Sequence, residues 1–342
     1  MLPEWKKILI VKLRAIGDVI LTTPVFRNLR EQFPDAQIDF VVEKPAYPLI
    51  QTDKNLNRVF IAPSGKNRTV SRERKFFKEI RREKYDVCID LFGNPRSALI
   101  TLFSGAKLRV GYYFRGRKYA YQEKFSSRVS EVHEVEFNLD ALRHFNIPIR
   151  FKQPEIHINE VDLAAAHSIF EKLYTDDFPV AALNPAGSWP AKKWPLPRFA
   201  QLAKMLHEEF HFRFVVLWGP GELAEAQLLA EKIGPVAAVH PETTLSQQAA
   251  LLALCQLFIG NDTGPMHIAA AVGISTIGLY GPTNARLQSP YGEKARAVFN
   301  PDIPCLGCDC LTCPLMDCMN YLTPETVFAA AKDLLEENRR LN

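Results

Sequence analysis

No apolar run in this 342-residue chain is long enough to cross a bilayer. The first apolar stretch, Ile8-Leu9-Ile10-Val11, is too short for a signal-peptide core, and no small-residue cleavage site follows it. A cytoplasmic protein is the resulting expectation. The chain also lacks a Gly-x-Gly-x-x-Gly fingerprint, which disfavours a nicotinamide oxidoreductase. It has no short-period repeat, no low-complexity segment and no nucleic-acid-binding motif. Charge of one sign is scarce as well: the formal net charge is only +4. Cysteine is sparse outside one short segment, which holds five of the seven.

What is present is an ordinary globular composition, with 47% hydrophobic and 23% charged residues. The length exceeds what one hydrophobic core usually organises, so two domains are expected. Short β-rich runs alternate with longer helical stretches, the pattern of βαβ units. Lys7–Leu13 reads as a buried strand, Asp18–Phe33 as the helix after it, and Arg72–Glu83 as a charged amphipathic helix. After Glu131–Phe145 the series restarts, with Pro179–Leu183 and Phe212–Trp218 as buried strands. The reading is a first domain over 1–160, a second over 175–322, and a last helix in 323–342 that packs back on the first. Ligands of such doubly wound sheets bind beyond the carboxyl ends of the strands, so motifs there carry most weight.

Four such segments stand out. The first strand runs into Arg14-Ala15-Ile16-Gly17-Asp18, where Gly17 permits close backbone approach and Asp18 is either a helix cap or a group available for chemistry. After the strand ending at Leu183 come Gly187-Ser188 and then Lys192-Lys193-Trp194-Pro195. These offer hydroxyl, amide and cationic donors to a phosphate, or are simply a surface loop with lysines. Trp218-Gly219-Pro220-Gly221-Glu222 places an acid where ribose hydroxyls are often met, or where a helix dipole favours one. Finally, Asn261-Asp262-Thr263-Gly264-Pro265-Met266-His267 closes a strand with a polar turn and opens a helix at Pro265. Amides near Thr263 and Gly264 would favour a diphosphate, and His267 on the first turn could add a donor.

Taken together, and in this order, these segments resemble glycosyltransferase family 9, the heptosyltransferases of lipopolysaccharide core assembly. The Lys-Leu-Arg-x-x-Gly-Asp-Val opening, the Lys-x-Trp-Pro step, the Asp-Thr-Gly-x-x-His turn and Tyr280-Gly281-Pro282-Thr283 carry the resemblance. It implies an α/β GT-B fold, two Rossmann-like doubly wound domains facing a central cleft, with acceptor on the first and donor on the second. The implied reaction is inverting transfer of heptose from ADP-heptose to the lipid A-core acceptor. Asp18 matches the family's base, and Arg14 and Gly17 fall on the acceptor side. Ser188, Lys192, Asp262, Thr263, Gly264 and His267 fall on the donor side, with Glu222 for the ribose and Glu225 as its rival. No cofactor is then required for catalysis, since Lys192 and the helix N-terminus would stabilise the leaving diphosphate.

Two features lie outside that chemistry. Basic residues crowd the stretch from Lys66 to Lys84, with a second group at Arg109, Arg115, Arg117 and Lys118. This is either a solvated helix face or a patch for an anionic membrane surface or phosphorylated acceptor, which would place the enzyme peripherally at the inner face of the cytoplasmic membrane. Cys305, Cys308, Cys313 and Cys318 have a spacing compatible with structural zinc or an iron–sulfur cluster, and Cys310 crowds it. Metal binding is not the favoured reading. The rivals are the same fold with another nucleotide sugar or glycan acceptor, and a non-enzymatic metal-cluster or nucleic-acid-binding protein. The last is disfavoured by a plausible base at Asp18.

Overall fold

In the computed structural model all residues are described except 1–2, 114–115, 117, 126–127, 129, 175–177 and 342. The chain divides into two units, Met1–His157 and Ile158–Asn342.

The first unit runs β1 (Lys7–Val11), α1 (Ile16–Ile20), α2 (Thr23–Gln32), β2 (Gln37–Glu43), α3 (Tyr47–Ile50), β3 (Arg58–Ala62), α4 (Val70–Arg82), β4 (Val87–Asp90), α5 (Pro95–Phe103), β5 (Leu108–Tyr112), β6 (Glu123–Phe125) and α6 (Glu134–His144). Its six strands pair in parallel in the order β3-β2-β1-β4-β5-β6. Central strands of such a sheet are covered on both faces, which is why β1 and β4 are buried along almost their whole length. The single helix expected from Asp18 to Phe33 is two. Pro24 has no N–H to continue the ladder, and the Thr23 hydroxyl donates instead to Ile20 O at 2.9 Å.

The second unit runs α7 (Glu160–Leu173), β7 (Val180–Asn184), α8 (Leu196–Phe210), β8 (Arg213–Val216), α9 (Leu223–Ile233), β9 (Ala237–Val239), α10 (Leu245–Ala253), β10 (Leu257–Asn261), α11 (Gly264–Ala271), β11 (Ser275–Leu279), α12 (Ala285–Gln288), β12 (Ala295–Val298), α13 (Asp317–Asn320) and α14 (Pro324–Leu341). Its parallel sheet has the order β12-β11-β10-β7-β8-β9, the same winding as the first. Both sheets therefore reverse direction once, between β1 and β4 and between β7 and β10. In doubly wound sheets that switch point is where ligands bind.

Helix α7, which falls between the two domain ranges expected from sequence, belongs to the second unit. Its Ala166 packs on Ala250 and Leu251 of α10. The last helix was expected on the first domain and instead completes the second. Val327, Ala331 and Leu334 are buried in the core that holds Phe199, Leu202 and Leu206 of α8. Asn338 also donates to Ser275 Oγ at 2.9 Å. An amphipathic period announces a buried face but not which core receives it.

Gly260 lets β10 close on β7 beside the switch point, where it pairs with Asn184. A Cβ there would lie 2.8 Å from Asn184 Cβ and 3.0 Å from Asn184 O. Gly260→Ala is therefore expected to lower stability by about 1–3 kcal/mol in urea unfolding. A wild-type midpoint would contradict this packing.

Candidate functional site

At the switch point of the first sheet, the chain leaving β1 is held by a buried lysine. Lys12 Nζ donates to Leu91 O at 3.0 Å, at the end of β4, and to Asn138 Oδ1 at 3.3 Å. It also pairs with Glu134 at 2.6 Å, both residues lying on the inside. Removing one partner of such a buried pair typically costs about 3–5 kcal/mol, so the turn that follows is tightly constrained. That turn delivers Asp18 to the third position of α1, half-buried, with Oδ2 accepting the Ala15 N–H at 2.9 Å. Asp18 is thus not the N-cap residue itself. It reaches back to the N-cap amide, and this fixes its carboxylate.

Gly17 is buried in the same turn, and Arg14 is exposed. Arg96 lies on the first turn of α5, outside every motif that the sequence displays. It pairs with Glu43 at 3.0 Å. Burial holds its guanidinium below the usual arginine range, Glu43 opposes that, and the nearby charges of Arg68 and Arg14 add to it. The end of β1, the turn before α4 and the start of α5 therefore bring Arg14, Arg68 and Arg96 near one another. Of the second basic group, Arg109 donates Nε to Ala120 O at 3.0 Å, while Arg115 and Arg117 lie outside the described residues.

The second switch point is crossed by two asparagines. Asn184, closing β7, donates to Thr263 Oγ1 at 2.8 Å. Asn261, closing β10, donates to Pro185 O at 2.8 Å and accepts the Trp194 N–H at 3.1 Å. Neither role was read from the sequence, because each partner is remote in the chain. Trp194 is in turn fully buried, with its ring edge-on to Phe199 and its indole N–H on Leu322 O at 2.8 Å. The Trp-Pro step is therefore a structural clamp.

Lys192 sits in the short turn before that clamp, mostly buried, with Nζ 2.7 Å from Asp262 Oδ2 and 4.3 Å from the Trp189 ring centre. Thr263 is the N-cap residue of α11, but its hydroxyl donates to Asn261 O at 3.1 Å and does not cap the helix. Gly264 and Pro265 open the helix, and His267 is buried on its first turn. Lys192, Asp262, Thr263, Gly264 and His267 thus converge at one end of the sheet. An uncapped helix N-terminus beside an ammonium is a site for an anion.

Ser188 is exposed on the loop ahead of Lys192. Glu222 accepts the Gly219 N–H at 2.8 Å, bracing its own loop, while Glu225 pairs with Lys193 at 2.6 Å. Beside them the Trp218 and His240 rings stack at 5.6 Å. Trp218 N–H donates to His240 Nε2 at 3.3 Å, and Trp218 Nε1–H to His240 O at 2.8 Å. Burial pushes the His240 pKa below the usual histidine range. The ring is therefore neutral, with its proton on Nδ1, toward Pro241 O.

All seven cysteines are free thiols. Cys318 is buried, and its thiol is pushed up by burial first, with Cys305, Cys308 and Cys313 near enough to contribute. Cys310 turns to Thr312 O at 3.3 Å. Among the described residues no group of three or more His, Cys, Asp or Glu is arranged to hold a metal ion.

The family model for glycosyltransferase family 9 (heptosyltransferase) matches residues 73–318, well over half of the chain. Lipopolysaccharide heptosyltransferase 2 of Escherichia coli K12 is 27% identical over 308 residues, covering 85% of this chain and 87% of that protein. A solved family 9 glycosyl transferase from Veillonella parvula aligns with a TM-score of 0.84 at 23% identity, over 98% of this chain and 99% of the other. E. coli heptosyltransferase WaaC, solved with ADP-2-deoxy-2-fluoro heptose, aligns with a TM-score of 0.74 at 24% identity, over 97% and 99%. The two doubly wound units are thus the architecture of solved heptosyltransferases, and the chain is a glycosyltransferase belonging to family 9.

Proposed function

We propose that this enzyme transfers heptose from ADP-heptose to a lipopolysaccharide inner-core acceptor with inversion. The observation that carries the reading is the second switch point, where Lys192 and the uncapped start of α11 meet. A diphosphate leaving group needs such a cluster: a cation and oriented amides at the place where negative charge develops. A relative named for heptose transfer to lipopolysaccharide and a similar protein solved with an ADP-heptose analogue support the choice of donor and acceptor.

In this reading the acceptor hydroxyl oxygen forms a bond to the anomeric carbon of the heptose. The bond from that carbon to the phosphate oxygen breaks on the opposite face, and ADP departs with the electron pair. The acceptor proton passes to the Asp18 carboxylate, which the Ala15 amide orients. Lys192 and the α11 amides take the developing charge on the diphosphate, and the chemistry calls for no divalent metal. Glu222 and the Trp218–His240 stack frame the loop on which the nucleoside would lie. The arginines at the first switch point would meet an anionic acceptor, and the acceptor's lipid brings the enzyme to an anionic membrane surface.

Asp18→Asn keeps the side-chain acceptor for the Ala15 amide but removes the base. Its kcat for ADP release in the presence of a deacylated core acceptor is expected to fall about 10²–10⁴-fold, with ADP affinity unchanged in calorimetry. A variant within a factor of three of wild type would reduce Asp18 to a helix brace. Wild type whose ADP release is no faster with the core acceptor than without it would overturn the substrate assignment. Asn261→Ala strands the Trp194 amide and two loop carbonyls. It is expected to cost about 1–3 kcal/mol in unfolding and to weaken ADP binding as well. An unchanged ADP dissociation constant would show that the asparagine bridge does not shape the donor site.

A further inference from the structure

The exposed face of α4 and α5 combines two properties that are seldom adjacent on a soluble surface. On α5, Leu99, Leu102 and Phe103 recur at helical spacing on one side, and they are 44%, 40% and 46% exposed. On α4, the half-buried Phe77 ring lies 5.3 Å from the Phe103 ring, and the Arg81 stem lies over Gly105, just past the end of α5. Arg74 and Arg81 flank Phe77 at helical spacing, and Lys78 lies between them. The apolar ridge of α5 is therefore bordered by the cations of α4.

Those cations are uncompensated. The acids of the segment are taken by other residues: Glu73 by Arg68, Glu79 by Arg58, and Glu83 by Arg58 and Lys7. Arg74, Lys75, Lys78, Arg81 and Arg82 are exposed and form no ion pair among the described residues. Of the three acids only Glu79 has these cations at helical spacing, Lys75 at i−4 and Arg82 at i+3, and Arg58 of β3 takes it instead. Here the acids are spent on holding α4 to β1, β3 and the preceding turn.

We propose that the α4–α5 face seats this enzyme on an anionic bilayer, with Arg74, Lys78 and Arg81 on lipid phosphates and Leu99, Leu102 and Phe103 at the acyl boundary. The choice of occupant rests on complementarity. Cations attract the anionic headgroup layer, and aliphatic side chains gain by leaving water for the acyl boundary. A nucleic-acid backbone would leave the Leu99–Leu102 ridge in water, and a second copy of this face would bring like charges together. Among the described residues no helix is long and apolar enough to cross a membrane, so a surface contact of this kind is the means of approach that α4 and α5 supply. This assignment rests on the reading of a lipid-borne acceptor, but its first test does not.

The test is co-sedimentation of the full chain with vesicles of phosphatidylcholine alone and with about one third phosphatidylglycerol. Wild type is expected to bind the anionic vesicles and to be released by salt. The triple variant Arg74→Ala, Lys78→Ala, Arg81→Ala is expected to bind about 100-fold more weakly, since each cation near such a surface contributes roughly a factor of five. Leu99→Ser with Phe103→Ser is expected to weaken binding at an unchanged salt dependence. The control Lys204→Ala, Lys232→Ala, Lys294→Ala removes the same charge from the second unit and is expected to bind as wild type. Wild type that ignores anionic vesicles, wild type that binds duplex DNA in their place, or a triple variant no weaker than the control would each overturn the proposal. In turnover, the triple variant is expected to keep its rate on a water-soluble acceptor and to lose it on a vesicle-embedded one. Vesicle binding without turnover on either acceptor would sink the substrate reading and leave the docking face standing.

Discussion

The structure depends on how the chain crosses the reversal point of each sheet. At that point two neighbouring parallel strands send their connections to opposite faces, and a crevice opens above their ends. Backbone groups at the rim of a crevice must find partners, since a buried unpaired amide or carbonyl costs about 1–3 kcal/mol. The two units meet the requirement with different side chains. In the first, Lys12 reaches from β1 to the carbonyl of Leu91 after β4, and Glu134 of α6 neutralises it. In the second, Asn184 and Asn261 reach across between β7 and β10 in both directions. These bridges settle the course of the loops that carry Asp18 on one side and Lys192, Asp262 and Thr263 on the other.

The same bridges divide the chemistry. In the proposed reading Asp18 takes the acceptor proton, and the Ala15 amide holds its carboxylate in place. A lysine that is to meet a diphosphate must be stable in a mostly buried position while the ligand is absent, and Asp262 provides its counter-charge. The Lys192–Asp262 pair is thus compatible with an anion site: an arriving diphosphate competes for an ammonium that is already desolvated and positioned. His240 is kept neutral by burial and serves Trp218, so it adds no charge to that neighbourhood.

Much of this was legible from sequence because it is local. Gly17-Asp18 and Asp262-Thr263-Gly264-Pro265 each follow a strand end with a turn and a helix start within a few residues, Lys192-Lys193-Trp194-Pro195 joins a turn to a helix start, and each of those turns is found there. What was not legible depends on distant partners. Trp194 anchors to a carbonyl 128 positions away, so its motif read as part of a phosphate loop when it is a clamp. Helix α5 is not legible because its apolar residues face solvent as well as the core, which blurs the amphipathic period. The last helix was assigned to the wrong unit because nothing in its own pattern names Phe199 and Leu206 as its neighbours. The uncompensated charge of α4 was visible as composition, but which acids were already engaged required the fold.

In the proposed reading Lys192 and the start of α11 form a diphosphate site. Calorimetric binding of ADP and AMP to wild type and Lys192→Met separates this from a site elsewhere. Wild type is expected to prefer ADP by about tenfold or more, and the variant to lose most of that preference while AMP affinity changes little. A variant that still prefers ADP to the wild-type extent would place the diphosphate on other residues.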